Sequence, residues 1–449
     1  MSKTVDMTVG NPTKHILTFA IPLLLTNLGQ QLYMIVDAAI VGRGVGMKAL
    51  ASVGATDWIY WLILWTVIGL TQGFATFVSR YFGDKNYAGM NKVIAMSTVL
   101  CAVCGTVLTA AGILTAKPLL QLLGTPADIL DGANTYLITM IAGTLVVTAY
   151  NMASAVLRAL GDGKTPLIAM VIAAILNIGL DCLFIFVFHW GIFGAAIASV
   201  TSQFLSFLFC FARICAIDCI KIECKMWKPD WKLIKDMLLF DIPICAQHFF
   251  ISGGGILLQS SVNLQGSIFI AGYTATNKVY GLFECSGIAL GHASATFLAQ
   301  NYGAAQLQRF KQGVKNASVI AIIAAIIVTA LIFFLRYPLL KCFLDVSEPG
   351  GLEALQIAVH YLLIMIAFLI ILYLIHIFRN TLQAMEVSFW SMVSGFSEAV
   401  CRVFMAKVVI NWMGSDALFV TEPLAWLAAL LLVMLPYFFY YSKKRLNTI

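Results

Sequence analysis

Charge is what this sequence has least of: 11% of its 449 residues are Asp, Glu, Lys or Arg, where 61% are hydrophobic. A soluble domain holds about a quarter charged residues. With a mean hydropathy of +0.91, the chain cannot cover itself with polar side chains in water. A soluble enzyme, a disordered regulator and a disulfide-built secreted module are excluded. Other absences narrow the field further. No lysine follows the glycine run at 253–255 as a phosphate loop requires, so ATP-driven transport would need a separate subunit. No arginine ladder marks a voltage sensor, and no nucleophile–base set marks catalysis, so the chain is not expected to be an enzyme. The 11 cysteines are scattered and odd in number. Cys215, Cys219 and Cys224 have no histidine beside them, which argues against a metal site. The net charge of +7 comes without a basic patch interleaved with stacking aromatics, so no nucleic-acid partner is expected.

What is present is a series of apolar stretches. A bilayer crossing takes about 20 such residues, and twelve stretches of that kind run from 16–40 to 420–441. Their length points to helices; a β-barrel would show short alternating segments. With the N-terminus placed inside, 20 Lys and Arg fall on inner segments and 6 on outer ones. That bias predicts two cytoplasmic termini. The N-terminus is short and polar and is not read as a removable signal peptide. The longest polar stretch, 215–236, is read as a cytoplasmic linker, with an amphipathic surface helix as one form for it. It separates an N-terminal lobe (1–214) from a C-terminal lobe (237–449).

The lobes echo each other. ATFVSRYFG (75–83) matches ATFLAQNYG (295–303), and VLRALG (156–161) matches TLQAME (381–386). A third echo pairs Asn177 and Asp181 with Glu398 and Arg402. Six helices per copy, an even number, imply a parallel repeat of the kind found in transporters. The fold class is therefore all-α and integral to the membrane: twelve transmembrane helices in two pseudo-symmetric lobes.

The few charges inside the apolar stretches carry the functional expectation, because a buried charge costs at least about 2.5–3.5 kcal/mol there. Gln30, Tyr33 and Asp37 fall on one helical face, as do Asn177 and Asp181. Ser199 and Thr201 can add hydroxyls. Such a group can share a proton between two acids, or bind Na⁺ at Asp37, Asn177 and Asp181 through hard oxygens. Both are coupling-ion chemistry; helix-to-helix bonding alone is the structural alternative. Glu284 has no nearby base in the sequence, whereas Glu398 has Arg402 one turn away. Gln247 is the first polar residue inside span seven. Tyr280 and other aromatics would suit lipophilic cations. Pro22 lies 15 residues before Asp37 and would kink span one.

These residues carry a resemblance. FAIPLLLTNLGQQLYMIVDAAIVGRGVG in span one, ALGDGKTP (159–166), NIGLD (177–181), GIFGAAIAS (191–199) and AQNYGA (299–304) resemble the multidrug and toxic compound extrusion (MATE) family. The spacing of Pro22, Gln30, Tyr33, Asp37, Asn177 and Asp181 is similar to its prokaryotic, DinF-like branch. The resemblance implies two lobes around a central cavity and efflux of amphipathic cations, driven by H⁺ or Na⁺. It also implies a coupling role for Asp37. Gln30, Tyr33, Gln247, Tyr280, Glu284, Glu398 and Arg402 are the candidate cavity and substrate residues, with a purely structural ion pair the alternative for Glu398 and Arg402. No cofactor beyond the ion is expected. The chain is expected to work as a monomer in the plasma membrane. The NorM-like branch has an acid within span seven; here that span reads IPICAQHFF, with Asp241 expected at the membrane edge. The competing function is a flippase for a lipid-linked precursor, which would need free Arg and Lys for a pyrophosphate.

Overall fold

The computed structural model describes residues 4–443, with side chains through Phe439. Lys3, Lys444 and Arg445, which belong to the cytoplasmic charge count, lie outside the described residues. Every regular element described is helical. The first half holds α1 (Pro12–Gly44), α2 (Met47–Gly83), α3 (Tyr87–Leu122), α4 (Ala127–Ala142), α5 (Thr144–Ala159), α6 (Lys164–Asp181) and α7 (Gly191–Cys215). The second holds α8 (Trp231–Val262), α9 (Ser267–Gly303), α10 (Leu307–Lys341), α11 (Gly351–Ala367), α12 (Leu369–Ala384), α13 (Phe389–Phe404), α14 (Ile410–Met413) and α15 (Asp416–Lys443). α4 and α5 form one rod bent by 46°, and α11 and α12 one bent by 48°. A π-helical turn, Cys182–Val187, extends α6, and another, Met405–Val409, joins α13 to α14. Counted as rods, these helices make the twelve that the apolar stretches predict. Ten are long and apolar enough to span a bilayer by composition. The other two, α9 and α13–α14, carry Lys278, Glu284, Glu398, Arg402 and Lys407, which lower their hydropathy.

The duplication is written in the backbone. α2 and α9 are both 37 residues long and start 220 residues apart; α5 and α12 are both 16 long and start 225 apart. The left-handed backbone positions repeat with the same offsets. Gly46 (φ 114°) is matched by Gly266 (φ 92°), Lys85 (57°) by Ala305 (54°), Gly161 (79°) by Glu386 (61°), and His189 (55°) by Gly414 (63°). A side chain held in that region costs on the order of 1 kcal/mol. Four non-glycine residues, Lys85, His189, Ala305 and Glu386, thus keep turn shapes that the repeat sets and their own side chains do not favour. The third echo is corrected by the same comparison. α6 and α13 lie between elements offset by 225, so Asn177 corresponds to Arg402, and the two polar pairs are one turn out of register.

The chain divides into two compact units, each discontinuous: residues 1–6 with 25–241, and 7–24 with 242–449. Helix α1 changes unit two residues after Pro22, and α8 changes after Asp241, two residues before Pro243. The expected linker helix is absent. Between α7 and α8 the only helix is a single 3₁₀ turn, Cys224–Trp227. The Lys92 ammonium donates to the carbonyls of Met226 and Lys228, and Asn91 donates to Cys219. The polar charge pattern of this stretch therefore reads as a strap bonded to α3 and then as the start of α8.

Within the first unit, Val41, Ala49, Tyr136, Met140, Ile185 and Ala196 pack the end of α1 against α2, α4, the π-turn and α7. Within the second, Tyr273 and Tyr361 stack with centroids 4.6 Å apart and share a hydroxyl hydrogen bond, beside Phe419. Close approach there relies on small residues, the usual device for helices in lipid. A Cβ on Gly272 would come within 2.5 Å of the Ala354 carbonyl oxygen.

Candidate functional site

Three elements of the first unit meet at a polar group. α1 supplies Tyr33 and Asp37, one turn apart. α6 ends on Asn177 and Asp181, also one turn apart, where the helix widens into its π-turn. Such widened turns concentrate at functional sites. α7 supplies Ser199. Asn177 and Asp181 are fully buried, and Ser199 is 3% exposed.

Donor–acceptor complementarity orients the Asn177 amide. Its nitrogen donates to Asp181 Oδ2 (2.7 Å), and its oxygen accepts from Ser199 N (3.1 Å) and Oγ (3.2 Å). The Tyr33 hydroxyl lies 3.2 Å from the same Ser199 Oγ. With the serine proton committed to Asn177, tyrosine is the donor. A single relay then runs Tyr33, Ser199, Asn177, Asp181. The carboxyls of Asp37 and Asp181 lie close enough to interact directly. Two carboxyls this close cannot both ionise cheaply and are suited to share one proton. Each also keeps one buried oxygen, Oδ1, without a partner. Among the described residues no Lys or Arg pairs with either acid.

This donor set fits one small cation. Its two close carboxyls suit a shared proton. Replacing that proton by Na⁺ would engage the carboxylate oxygens and an amide or hydroxyl oxygen, all hard ligands of the kind that ion prefers. The expected Asp37, Asn177, Asp181, Ser199 and Tyr33 thus come together. Thr201 follows Ser199 by two positions, roughly 200° around α7, and is not part of the relay. Gln30 is exposed and lies about 10 Å along the axis from Asp37. Pro22 sits inside α1, which continues through it as one helix.

The second unit holds a different arrangement. Glu398 on α13 is bonded by two arginines, Arg379 of α12 and Arg402 of its own helix (3.4 Å). Arg402 also forks onto Glu422 of α15, Nε to Oε1 at 3.0 Å and Nη2 to Oε2 at 2.8 Å. Its remaining nitrogen donates to the Ile251 carbonyl of α8 (2.8 Å). Arg379 Nε donates to Ser394 Oγ (2.8 Å). Two cations and two anions neutralise each other at a buried site. Glu284 lies within electrostatic reach of this network and of Tyr280, whose ring stacks on Trp426 at 5.7 Å. Gln247 is 5% exposed, and Gly395 packs against its backbone.

Two members of the network escape sequence reasoning. Glu422 stands just before Pro423 and reads as the edge of a span. Arg379, near the end of an apolar stretch, reads from sequence as one of the inner basic residues, but the structure buries it at 7% exposure on α12. Charge near a predicted boundary is ambiguous by sequence; only the tertiary partner decides it. Asp241, expected at the membrane edge, is also buried, at 1% exposure.

A family model described as MatE matches the chain twice, over residues 22–183 and 243–408, which together make up well over half of it. Among curated proteins, "Probable multidrug resistance protein YpnP" of Bacillus subtilis (strain 168) is 32% identical over 301 residues, 67% of each chain. "Probable multidrug resistance protein YoeA" of the same strain is 26% identical over 440 residues, 96% of this chain and 94% of its own. Among solved structures, the outward-facing conformation of a multidrug resistance MATE family transporter of the MOP superfamily superposes with a TM-score of 0.91. It covers 99% of this chain and 100% of its own at 21% identity, a likeness of fold.

Proposed function

Because the chain belongs to the MatE family, and is thereby a multi-pass membrane transporter of the multidrug-efflux kind, we propose that it exports amphipathic organic cations in exchange for H⁺ or Na⁺. The carrying observation is the close pair Asp37 and Asp181: one acid buried and one half-buried, joined to a relay, with no Lys or Arg paired to either among the described residues. Left ionised and empty, the pair would repel itself in a medium of low dielectric. A proton or Na⁺ relieves that repulsion, and so does a cationic drug. Export follows if the two occupants exclude each other and the exchange takes place by alternating access. Neutralising the acids would change the pull on α1 beyond Pro22, where that helix passes from one unit to the other, which makes Pro22 the gating kink. The positive-inside bias supports a plasma-membrane location with both termini in the cytoplasm. The working form is a monomer, and no cofactor beyond the coupling ion is invoked.

The second unit favours the same reading over lipid-precursor flipping. A pyrophosphate needs free cations, and Arg379 and Arg402 are already bound to Glu398 and Glu422.

The test is export of a fluorescent organic cation from proteoliposomes driven by a pH gradient alone and then by a Na⁺ gradient alone. Wild type is expected to respond to at least one gradient and Asp37→Asn to neither. Undiminished gradient-driven export by Asp37→Asn would remove this site from the mechanism.

A further inference from the structure

Asp241 is the buried acid that the proposed exchange does not use. It lies on α8 within the first unit, at 1% exposure, and neither carboxyl oxygen has a hydrogen-bond partner among the described residues. It fits where it does because α2 has a glycine opposite. A Cβ on Gly73 would stand 1.7 Å from Asp241 Oδ1 and 2.6 Å from its Cγ. Beside it, the rings of Phe240 and Phe77 meet edge to face with centroids 5.2 Å apart. From α3, the thiols of Cys101 and Cys104 are the titratable groups within electrostatic reach; α2 presents no charge to it.

An ionised carboxylate in such surroundings, with neither a donor nor a cation, costs several kcal/mol even after relaxation. A neutral carboxylic acid costs far less and can sit against a glycine face and a thiol. The seat is therefore one for the protonated group. The helix is also weakened at this point. Pro243 has no N–H, so the Leu239 carbonyl lacks its helical donor, and α8 leaves the first unit directly after Asp241.

We infer that Asp241 is a second proton-binding carboxyl, separate from the Asp37–Asp181 pair, whose bound proton allows the first turns of α8 to seat against α2 and α3. Loss of the proton leaves a charge that only water can solvate. The first turns of α8 must then part from Gly73, with the proline as the place to bend. Linkage makes this reciprocal: seating takes up a proton, and unseating releases it. Nothing in this argument requires that the Asp37–Asp181 pair be the coupling site.

The experiment is infrared difference spectroscopy on the full-length protein in lipid vesicles, following the carbonyl stretch of neutral carboxylic acids. At neutral pH a band is expected that disappears in Asp241→Asn and persists in the Asp37→Asn, Asp181→Asn double variant. Absence of any band assignable to Asp241, or its loss in the double variant, overturns the inference. A second arm needs no change at Asp241. A hydrophobic carbodiimide, which attacks protonated buried acids, should label Asp241 in wild-type protein as read by peptide mass spectrometry; an unlabelled Asp241 counts against the inference. The geometry has its own check. Gly73→Ala should abolish the wild-type acid band or shift it, because the carboxyl is displaced, and should be tolerated in an Asp241→Ala background. Equal tolerance in both backgrounds would show that the carboxyl does not occupy this seat.

Discussion

The two units share a scaffold and differ in chemistry. Their rods recur at offsets of 220 and 225 residues, and their left-handed turns recur with them. The ionisable side chains do not. In the first unit Asp37 and Asp181 have each other and a relay of neutral groups. In the second, Glu398 and Glu422 have Arg379 and Arg402. Duplication conserved what packing demands and left the charges free to diverge. An acid pair without a base is suited to take up a cation from outside, as proposed above; an acid pair with two arginines already carries its own. The first arrangement suits exchange and the second suits holding helices together, although buried ion pairs are as often neutral for stability as they are favourable.

That contrast can be broken most forcefully at Arg402. Arg402→Met would leave Glu398 with one partner and Glu422 with none of those described above. Removing one member of a buried pair typically costs about 3–5 kcal/mol, and a loss of that size is expected in thermal unfolding in lipid. Adding Glu422→Met should recover most of it, because the orphaned charge goes too. In the first unit the opposite pattern is expected: Asp37→Asn should unfold within about 1 kcal/mol of wild type while coupling is lost. If Asp37→Asn is as unstable as Arg402→Met, the first unit's acids are structural and the contrast fails.

A smaller effect sharpens it. Asn177→Ala removes the donor to Asp181 Oδ2 and the acceptor for Ser199, leaving buried polar atoms unsatisfied. The expected cost is about 1–3 kcal/mol, with weaker dependence of export on the driving ion. Unchanged ion dependence in this variant would take Asn177 out of the cation site.

Much of this was legible in the residues. Twelve rods follow from apolar length, and the repeat from two short matches. Asp37, Asn177 and Asp181 stood out because charge is scarce and each helix puts positions four apart on one face. What periodicity could not supply was which helix lies opposite. Glu422 and Arg379 complete a network only in three dimensions. By sequence Asp241 reads as a residue of the membrane edge, yet α8 begins at Trp231, ten residues earlier, and Asp241 is buried. The widened turns after Asp181 and Arg402 leave no clear mark in composition, since a π-turn differs from a helix by one hydrogen-bond step.

The least effect is expected at Thr201, and it tests the relay most finely. Ser199 and Thr201 are two hydroxyls two residues apart, indistinguishable as candidates by composition. Helix geometry puts them on nearly opposite faces of α7, and only Ser199 reaches Tyr33 and Asn177. Ser199→Ala should cost about 1 kcal/mol and shift the concentration of driving ion needed for half-maximal export, since the Tyr33 hydroxyl and the Asn177 amide both lose a partner. Thr201→Val keeps shape and removes only a hydroxyl outside the relay. It should stay within about 0.5 kcal/mol of wild type with the same ion dependence. A shift with Thr201→Val equal to that with Ser199→Ala would mean that the cation site is assembled on a different face of α7 when occupied.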